Sequence, residues 1–382
     1  MSELWDCLPK DSWLREWLGC WPTSEPPKSF ILFAGMSMMG SMIGRRCYFD
    51  QDTLRIYPML NLLLVGNSGI GKSVTLNHLG LRLIREMPRE QQPQQVVGTA
   101  GVEKLHWDLR GNPHAILVAA ELANFFGRQK YLEGLVEYVT ELLDYLPYVE
   151  RRFKNSDVVQ VVEPAVTVVG GSTIEWLQEA LPDSAVGGGF LPRFLIVYEQ
   201  HKGQRVALPG KSLGRTERAE LEERRRRMIN RFYELVTSFT GAVDFRGYED
   251  ADAYTVWYSH YQAPTGHLSP FANRAGEYVL RMSILIAISC GRKEIYGSDI
   301  RAAIRLYEYC LNRLQAVVVP FTPSGKQLQQ VMVALGTQAL TKMELCHALK
   351  QTMKSQDVEQ LLISLRTSGD VILTEEGKLR KK

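Results

Sequence analysis

An α/β fold with a mainly parallel sheet is predicted by three features of the sequence. Short, wholly apolar runs recur at Asn61 to Val65 (NLLLV), Ala115 to Ala119 (AILVA), Ala165 to Val169 (AVTVV) and Phe194 to Tyr198 (FLIVY). Runs of this length and evenness are what strands buried on both faces require. Helical stretches alternate with them, which places helices on both sides of the sheet. A glycine-rich loop, Gly66 to Gly71, follows the first run and opens into a helix from Lys72 to about Met87.

The 382 residues are too many for one compact core and imply two or three units. Residues 1–55 read as helical and apolar, with Trp5, Trp13, Trp17 and Trp21 at helical spacing or its multiples, a core-packing stripe. Pro26-Pro27 breaks the segment, and a second helix runs from Ser29 to Ile43. Arg45 and Arg46 lead into a short strand, Cys47 to Phe49.

Residues 56–205 form the α/β core. Besides the four apolar runs they carry a possible strand at Gln94 to Val97, a helix after Thr99 and a helical stretch from about Tyr131 to Leu146. Tyr148 to Phe153 and Val158 to Val162 form a hairpin around Lys154-Asn155-Ser156-Asp157. Gly203 to Thr216 is polar and aperiodic and marks a boundary. Residues 206–320 are read as a helical lid, all helical from Glu217 to Val318, with a charged helix at Glu217 to Val236 and an apolar one at Tyr278 to Cys290. Phe321 to Gly325 is a linker. Residues 321–382 run helix, helix, helix, hairpin: Gln327 to Leu335, Lys342 to Lys350, Gln356 to Arg366, then Val371 to Leu373 turning at Glu375-Glu376-Gly377 into Leu379. That is the order of a winged helix-turn-helix. The chain has no internal repeat and no low-complexity tract.

Composition narrows the function classes. A net charge of +3 is too small for bulk electrostatics to select nucleic acid, so any basic surface is local. The six cysteines form no CxxC pair and no histidine cluster has zinc spacing, which leaves scattered thiols of a reducing compartment. The start is not a basic segment followed by an apolar one, so a cytoplasmic location is expected. Ile31 to Gly44 is short and rich in Gly, Ser and Met, a buried helix rather than a membrane span.

The chemistry-bearing motif is Gly66-Asn67-Ser68-Gly69-Ile70-Gly71-Lys72-Ser73, which fits G-x-x-x-x-G-K-[ST] with an apolar strand before it and a helix after it. The glycines let backbone N–H groups turn toward phosphates, and the helix start adds its positive dipole end. Lys72 is suited to the outer phosphates and the Ser73 hydroxyl to magnesium, so ATP and Mg2+ are the expected ligands. A partner acid is expected where a neighbouring buried strand ends, and Glu121 stands there after Ala115 to Ala120. The usual pair is Asp then Glu; here Ala120 occupies the first place. Glu121 is then the base, a magnesium partner through water, or both, with Asp144 a further acid by position. Ser172 or Thr173, just past Ala165 to Val169, can face the γ-phosphate or the water.

Arg193 follows a glycine-rich loop and starts a strand, a place from which an arginine reaches a neighbouring subunit's nucleotide or pairs with a surface carboxylate. Arg151, Arg152 and Lys154 near the hairpin tip can track a phosphate backbone or simply guard an edge. The run Arg224 to Arg227 follows Glu222-Glu223 and reads as a salt-bridged, solvated face. Asp108-Leu109-Arg110-Gly111 matches D-x-x-G, but no N-K-x-D follows, so a GTPase is excluded, as is a transporter ATPase for want of an LSGGQ-like segment. In the last module nine Lys or Arg stand against six Asp or Glu over residues 325–382. Lys378, Arg380, Lys381 and Lys382 can touch backbone phosphate, or the wing docks protein.

In order, these motifs resemble the AAA+ ATPases of the superfamily III and MCM-like helicase branch, with a RecA-like core. More narrowly the chain is similar to ATPases of phages and mobile elements often found beside primase domains. The resemblance rests on Tyr57-Pro58-Met59-Leu60-Asn61, Tyr148 to Lys154, Glu163-Pro164 through Gly171 to Leu177, and Gly189-Phe190-Leu191-Pro192-Arg193-Phe194, and spans residues 25–315. It implies that Ser172 or Thr173 is sensor 1, that Arg193 is a finger acting on the adjacent subunit, and that Arg274 or Arg281 is a sensor-2 arginine. It places Arg151, Arg152 and Lys154 against single-stranded DNA in a central pore and implies a homo-oligomeric ring, a hexamer by analogy. No primase domain is attached, so that activity would come from another chain. The expected function is a ring-forming, ATP-dependent DNA helicase or translocase. Its rivals are a slowly hydrolysing DNA-binding switch, such as a helicase loader or transposition regulator, which Ala120 favours, and a protein-remodelling or defence ATPase.

Overall fold

The computed structural model describes residues 3–97, 101–119, 121–122, 134–154, 157–180, 189–208, 211, 213–318, 327, 330–331, 334–335, 339–350, 353–367, 371–374 and 377–381. By its own contacts the chain divides into two compact units, residues 1–315 and 316–382. Among the described residues no helix is long and apolar enough to cross a membrane.

Among the described residues the strands are numbered β1 (Cys47–Asp50), β2 (Arg55–Ile56), β3 (Leu62–Val65), β4 (Gln94–Val97), β5 (His114–Ala119), β6 (Tyr148–Arg152), β7 (Val158–Val162), β8 (Ala165–Ser172), β9 (Leu195–Tyr198), β10 (Gly241–Ala242), β11 (Asp244–Phe245), β12 (Glu294–Ile295), β13 (Val371–Leu373) and β14 (Leu379–Lys381). The centre is a five-stranded sheet in the order β4-β5-β8-β3-β9, and every pairing in it is parallel. β3 and β8 are buried along their whole length, which is why their sequences are evenly apolar rather than alternating. Asn61 locks the start of β3 to both neighbours. Its Oδ1 accepts the Val168 N–H at 3.0 Å and its Nδ2 donates to the Arg193 carbonyl at 3.1 Å.

β8 is longer than its apolar run and continues through Gly170 and Gly171 to Ser172. The glycines permit this, since a Cβ at Gly170 would stand 3.0 Å from Leu122 and 3.2 Å from the Ala119 carbonyl. Ser172 is therefore the last residue of a strand and not part of a loop. It lies opposite Val65, so Gly66 begins where β8 ends. The helix expected over residues 72–87 starts as a π-helix, Val74–Gly80, and becomes α-helical over Leu81–Arg85.

The N-terminal segment wraps onto this unit. Trp13 stacks on Trp17 at 5.6 Å between centroids and meets Phe232 at 4.9 Å in a tilted pair. Each indole N–H finds a carbonyl, Trp13 that of Met228 and Trp17 that of Ile31, so the rings are buried without an unpaired donor. In the helix Lys28–Ile43 every residue from Ser29 onward is buried. It packs against the π-helix and β8, which accounts for its apolar character without a bilayer.

The stretch expected to be all helical over residues 217–318 contains three two-residue strands. β10 adds in parallel to β1, and β11 pairs with β12. Periodicity misses strands this short because two residues carry no period. The helices Arg215–Ser238, Tyr248–His260, Ala275–Ser289 and Gly297–Val318 make up most of the remainder.

Residues 316–382 hold their own core, in which Leu345, Leu349, Val358, Leu362 and Val371 meet. Helices Lys342–Ala348 and Ser355–Thr367 are followed by the antiparallel pair β13–β14, and Leu340 bridges Leu379. Of the expected helix over 327–335, residues 328, 329, 332 and 333 lie outside the described residues.

Candidate nucleotide site

Parallel strands bring their C-terminal ends to one edge of the sheet. The loop after β3, Glu121 after β5 and Thr173 after β8 all leave that edge. They line a single open cavity of 320 Å³ together with Lys72, Ser73 and Trp176.

The glycines of the loop have separate tasks. Gly69 and Gly71 sit at φ +80° and +106°, a region that side chains rarely enter. A Cβ at Gly66 would meet the Glu199 carbonyl oxygen at 2.3 Å, and one at Gly71 would meet Pro26 at 2.6 Å. The proline that ends the first N-terminal segment thus forms part of the wall behind the loop. The Gly66 N–H donates to the Ser172 carbonyl at 3.2 Å, tying the loop to β8.

Lys72 is folded back over the loop. Its Nζ donates to the carbonyls of Gly66 at 2.7 Å and Asn67 at 2.9 Å. Burial pushes its pKa down, and the charges of Glu121 and Glu175 push it up. Glu121 is shifted the other way: burial raises its pKa and Lys72 partly offsets this. Its Oε2 is buried without a hydrogen-bond partner among the described residues, and so is the Ser172 hydroxyl. A buried polar atom left unpaired costs about 1–3 kcal/mol, and Glu121, which lines the cavity, offers such an atom to a polar ligand. Thr173 lines the cavity, and its Oγ1 accepts the Trp176 N–H at 3.3 Å.

Among the described residues no group of three or more His, Cys, Asp or Glu gathers to cage a metal. Magnesium does not need such a cage, since it keeps much of its water and is held by few protein groups plus phosphates. Ser73 and Glu121 both line this wall, and their oxygen donors fit a magnesium–triphosphate. Ala120 lies outside the described residues.

The arginines lie elsewhere. Arg193 precedes β9 and Arg281 bonds the Met59 carbonyl just before β3, so both sit at the sheet edge opposite the loop. Arg193 has three engaged donors: Nε and Nη2 reach Asp144 Oδ1 at 2.9 and 2.6 Å, and Nη1 reaches the Gly189 carbonyl at 2.7 Å. Asp144, a candidate acid by position, is thus the partner of Arg193 and does not line the cavity. Arg281 is buried, paired with Glu277 and stacked over Tyr145. Arg274 pairs with the same Glu277. Neither of these two lines the cavity. Spacing along the chain cannot reveal this, because it does not say which edge of the sheet a helix returns to.

The hairpin β6–β7 is fastened to the helices Val102–Gly111 and Leu135–Leu142. His106 is wholly buried, with Nε2 2.9 Å from the Val159 carbonyl and Nδ1 2.8 Å from the Tyr138 hydroxyl. A carbonyl only accepts, so Nε2 carries the proton and Nδ1 accepts from the tyrosine. Arg151 pairs with Glu141 and stacks over Tyr138, a structural engagement rather than an open contact surface. Arg152 and Lys154 are exposed and form no ion pair among the described residues. In the C-terminal unit Arg380 is exposed on β14, Lys378 is partly buried beside it, and Lys382 lies outside the described residues.

His106 and His114 are both held below the ordinary histidine range, chiefly by burial. Unfolded, each takes up a proton near pH 6.5; folded, each stays neutral to lower pH. Their contribution to stability is present above that value and is lost as pH falls through their folded pKa values. The thermal midpoint is expected to fall between about pH 7.5 and about pH 5.5, and His114→Gln to make the fall shallower. A native midpoint that rises over that interval contradicts this.

Trp176, which lines the cavity, figured in the sequence only within the Gly171 to Leu177 stretch of the resemblance, with no role of its own; the signal was its position four residues past the end of a buried strand that adjoins the loop.

No known family model matches the chain, and no curated protein matches it in sequence.

Proposed function

We propose that this chain is an ATPase of the AAA+ kind, with a RecA-like core, that assembles into a ring and moves on or remodels DNA. The observation that carries the proposal is the shared cavity of Gly69, Gly71, Lys72, Ser73, Glu121 and Thr173 at the C-terminal edge of an all-parallel sheet. Ligands of open parallel sheets bind at that edge.

In this reading Lys72 swings from the loop carbonyls onto the outer phosphates, trading two neutral acceptors for charged ones. Magnesium, when bound, supplies positive charge to the phosphate oxygens. Glu121 accepts the proton of the attacking water, a role that its raised pKa suits. Ser172 or Thr173 reads the γ-phosphate. Arg193 stands at the opposite sheet edge, so it serves a neighbouring subunit's site and not its own. Arg152 and Lys154 contact the nucleic-acid backbone, and the exposed Tyr148 on the same hairpin offers a ring for base stacking. The C-terminal unit, read as a winged helix, contributes Lys378 and Arg380 to phosphate.

One observation favours the slowly hydrolysing switch. The Arg193 guanidinium is occupied within its own chain, so hydrolysis needs that ion pair to open first.

The test is the ATPase rate with and without single-stranded DNA. The native chain is expected to be stimulated, and Lys72→Ala to be inactive. The double reversal Arg152→Glu, Lys154→Glu is expected to lose the stimulation and to weaken DNA binding by about tenfold or more at low salt. Native hydrolysis that ignores DNA and the reversal alike would point to a protein-remodelling ATPase. Nucleotide binding with negligible turnover would point to the switch.

A further inference from the structure

One carboxylate behind the phosphate loop joins three elements. Glu199 follows β9, and its N–H donates to the Val65 carbonyl at 3.0 Å, so its backbone runs beside the last residue of β3. Its carbonyl oxygen lies so near Gly66 that a Cβ there would stand 2.3 Å from it. Its side chain serves two helices. Oε1 accepts the Ser29 hydroxyl at 2.6 Å, from the helix Lys28–Ile43, and also the Tyr309 hydroxyl, from the helix Gly297–Val318. Burial and the Glu199 carboxylate both push the Tyr309 pKa up, so the phenol keeps its proton and is the donor. The helix that carries Tyr309 continues past residue 315, where the second unit of the chain begins.

Gly66 is the point at which Glu199 meets the loop. Lys72 Nζ holds the Gly66 carbonyl at 2.7 Å, and the Ser172 carbonyl holds the Gly66 N–H at 3.2 Å. A phosphate that draws Lys72 away takes a donor from Gly66. Gly66 has no free space on the β9 side, so a shift of its peptide in that direction displaces Glu199. The oxygen shared by Ser29 and Tyr309 moves with it, because a close-packed interior passes on such shifts.

We propose that Glu199 is a positioning residue that couples the phosphate loop to the helix Gly297–Val318 through the Tyr309 hydroxyl, so that triphosphate on the loop alters the opening equilibrium of that helix. The proposal rests on reading Gly66 to Ser73 as a nucleoside-triphosphate site. Glu199 does not line the cavity, so it acts through Gly66 and not on the nucleotide itself. The coupling is reciprocal: whatever fixes the helix changes the affinity of the loop by the same factor.

The experiment follows amide hydrogen exchange in the full chain, with and without a saturating, non-hydrolysable ATP analogue and magnesium. In the native chain, exchange within Gly297–Val318 is expected to change by about fivefold or more, the lower end of typical couplings between sites. Tyr309→Phe keeps the ring and removes only the hydroxyl. It is expected to bring that change below about twofold, while the helix after the loop, Val74–Gly80, still responds as in the native chain. Glu199→Gln keeps an oxygen that accepts the Tyr309 hydroxyl and should recover most of the response, whereas Glu199→Ala should abolish it. A purely structural role would lower the thermal midpoint of these variants without singling out one helix's response to nucleotide. If Tyr309→Phe responds as the native chain does, or if the native chain binds the analogue and Gly297–Val318 does not respond, the proposal is overturned. If the native chain binds no triphosphate at all, the nucleotide reading itself fails and the coupling falls with it.

Discussion

Glu121→Gln is expected to bind ATP as the native chain does but to hydrolyse it about 10²–10⁴-fold more slowly. Glutamine keeps the shape and the hydrogen-bonding capacity of the carboxylate but cannot accept a proton. The Glu121 Oε2 is buried at the cavity wall without a partner, so its charge in the native protein is held there against desolvation. Removing that charge should leave the fold intact, and a thermal midpoint at or above native checks this. The pH profile supplies a second reading. Burial raises the Glu121 pKa above the ordinary carboxylate value, so the base is lost as pH falls through that raised value. The acid limb of the native rate profile should lie above the usual carboxylate range and should vanish in whatever rate Glu121→Gln retains. Lys72→Ala gives the contrasting result: its cation is the buried charge aimed at the loop, and its loss should abolish binding along with turnover. If Glu121→Gln hydrolyses at the native rate, another group is the base.

Arg281→Met is expected to destabilise the fold by about 3 kcal/mol, measured as a lower midpoint of urea unfolding. Removing one member of a buried ion pair strands the other. Here it also strands the Met59 carbonyl and the Tyr145 ring that the guanidinium covers. The loss sits at the lower end of the usual range because Glu277 keeps Arg274 as a partner. Nucleotide affinity measured below the transition should be unaltered, since Arg281 sits at the sheet edge away from the phosphate loop. A variant of native stability that has lost nucleotide binding would instead place Arg281 in the site.

Much of the site was legible in the sequence because its chemistry is local. A phosphate-binding loop of the proposed kind needs glycines that enter positive φ, a lysine and a hydroxyl at fixed offsets along one strand-to-helix turn, and the consecutive residues Gly66 to Ser73 supply that pattern. The even apolar runs announced strands buried on both faces, and the parallel sheet followed. Glu121 was legible as the first polar residue after such a run.

Tertiary structure alone decided what depends on strand order and sheet polarity. It set β8 beside β3, and so brought Ser172 and Thr173 beside a loop about a hundred residues earlier in the chain. It sent Arg193, Arg274 and Arg281 to the far edge and closed Arg193 onto Asp144. It turned Arg151 from a candidate contact into a strut on Glu141 and left Arg152 and Lys154 outward. A lone charge has no periodicity to show which neighbour it meets. Its partner is fixed by the desolvation and pairing energies of the packed state, and those exist only once the strands are in register.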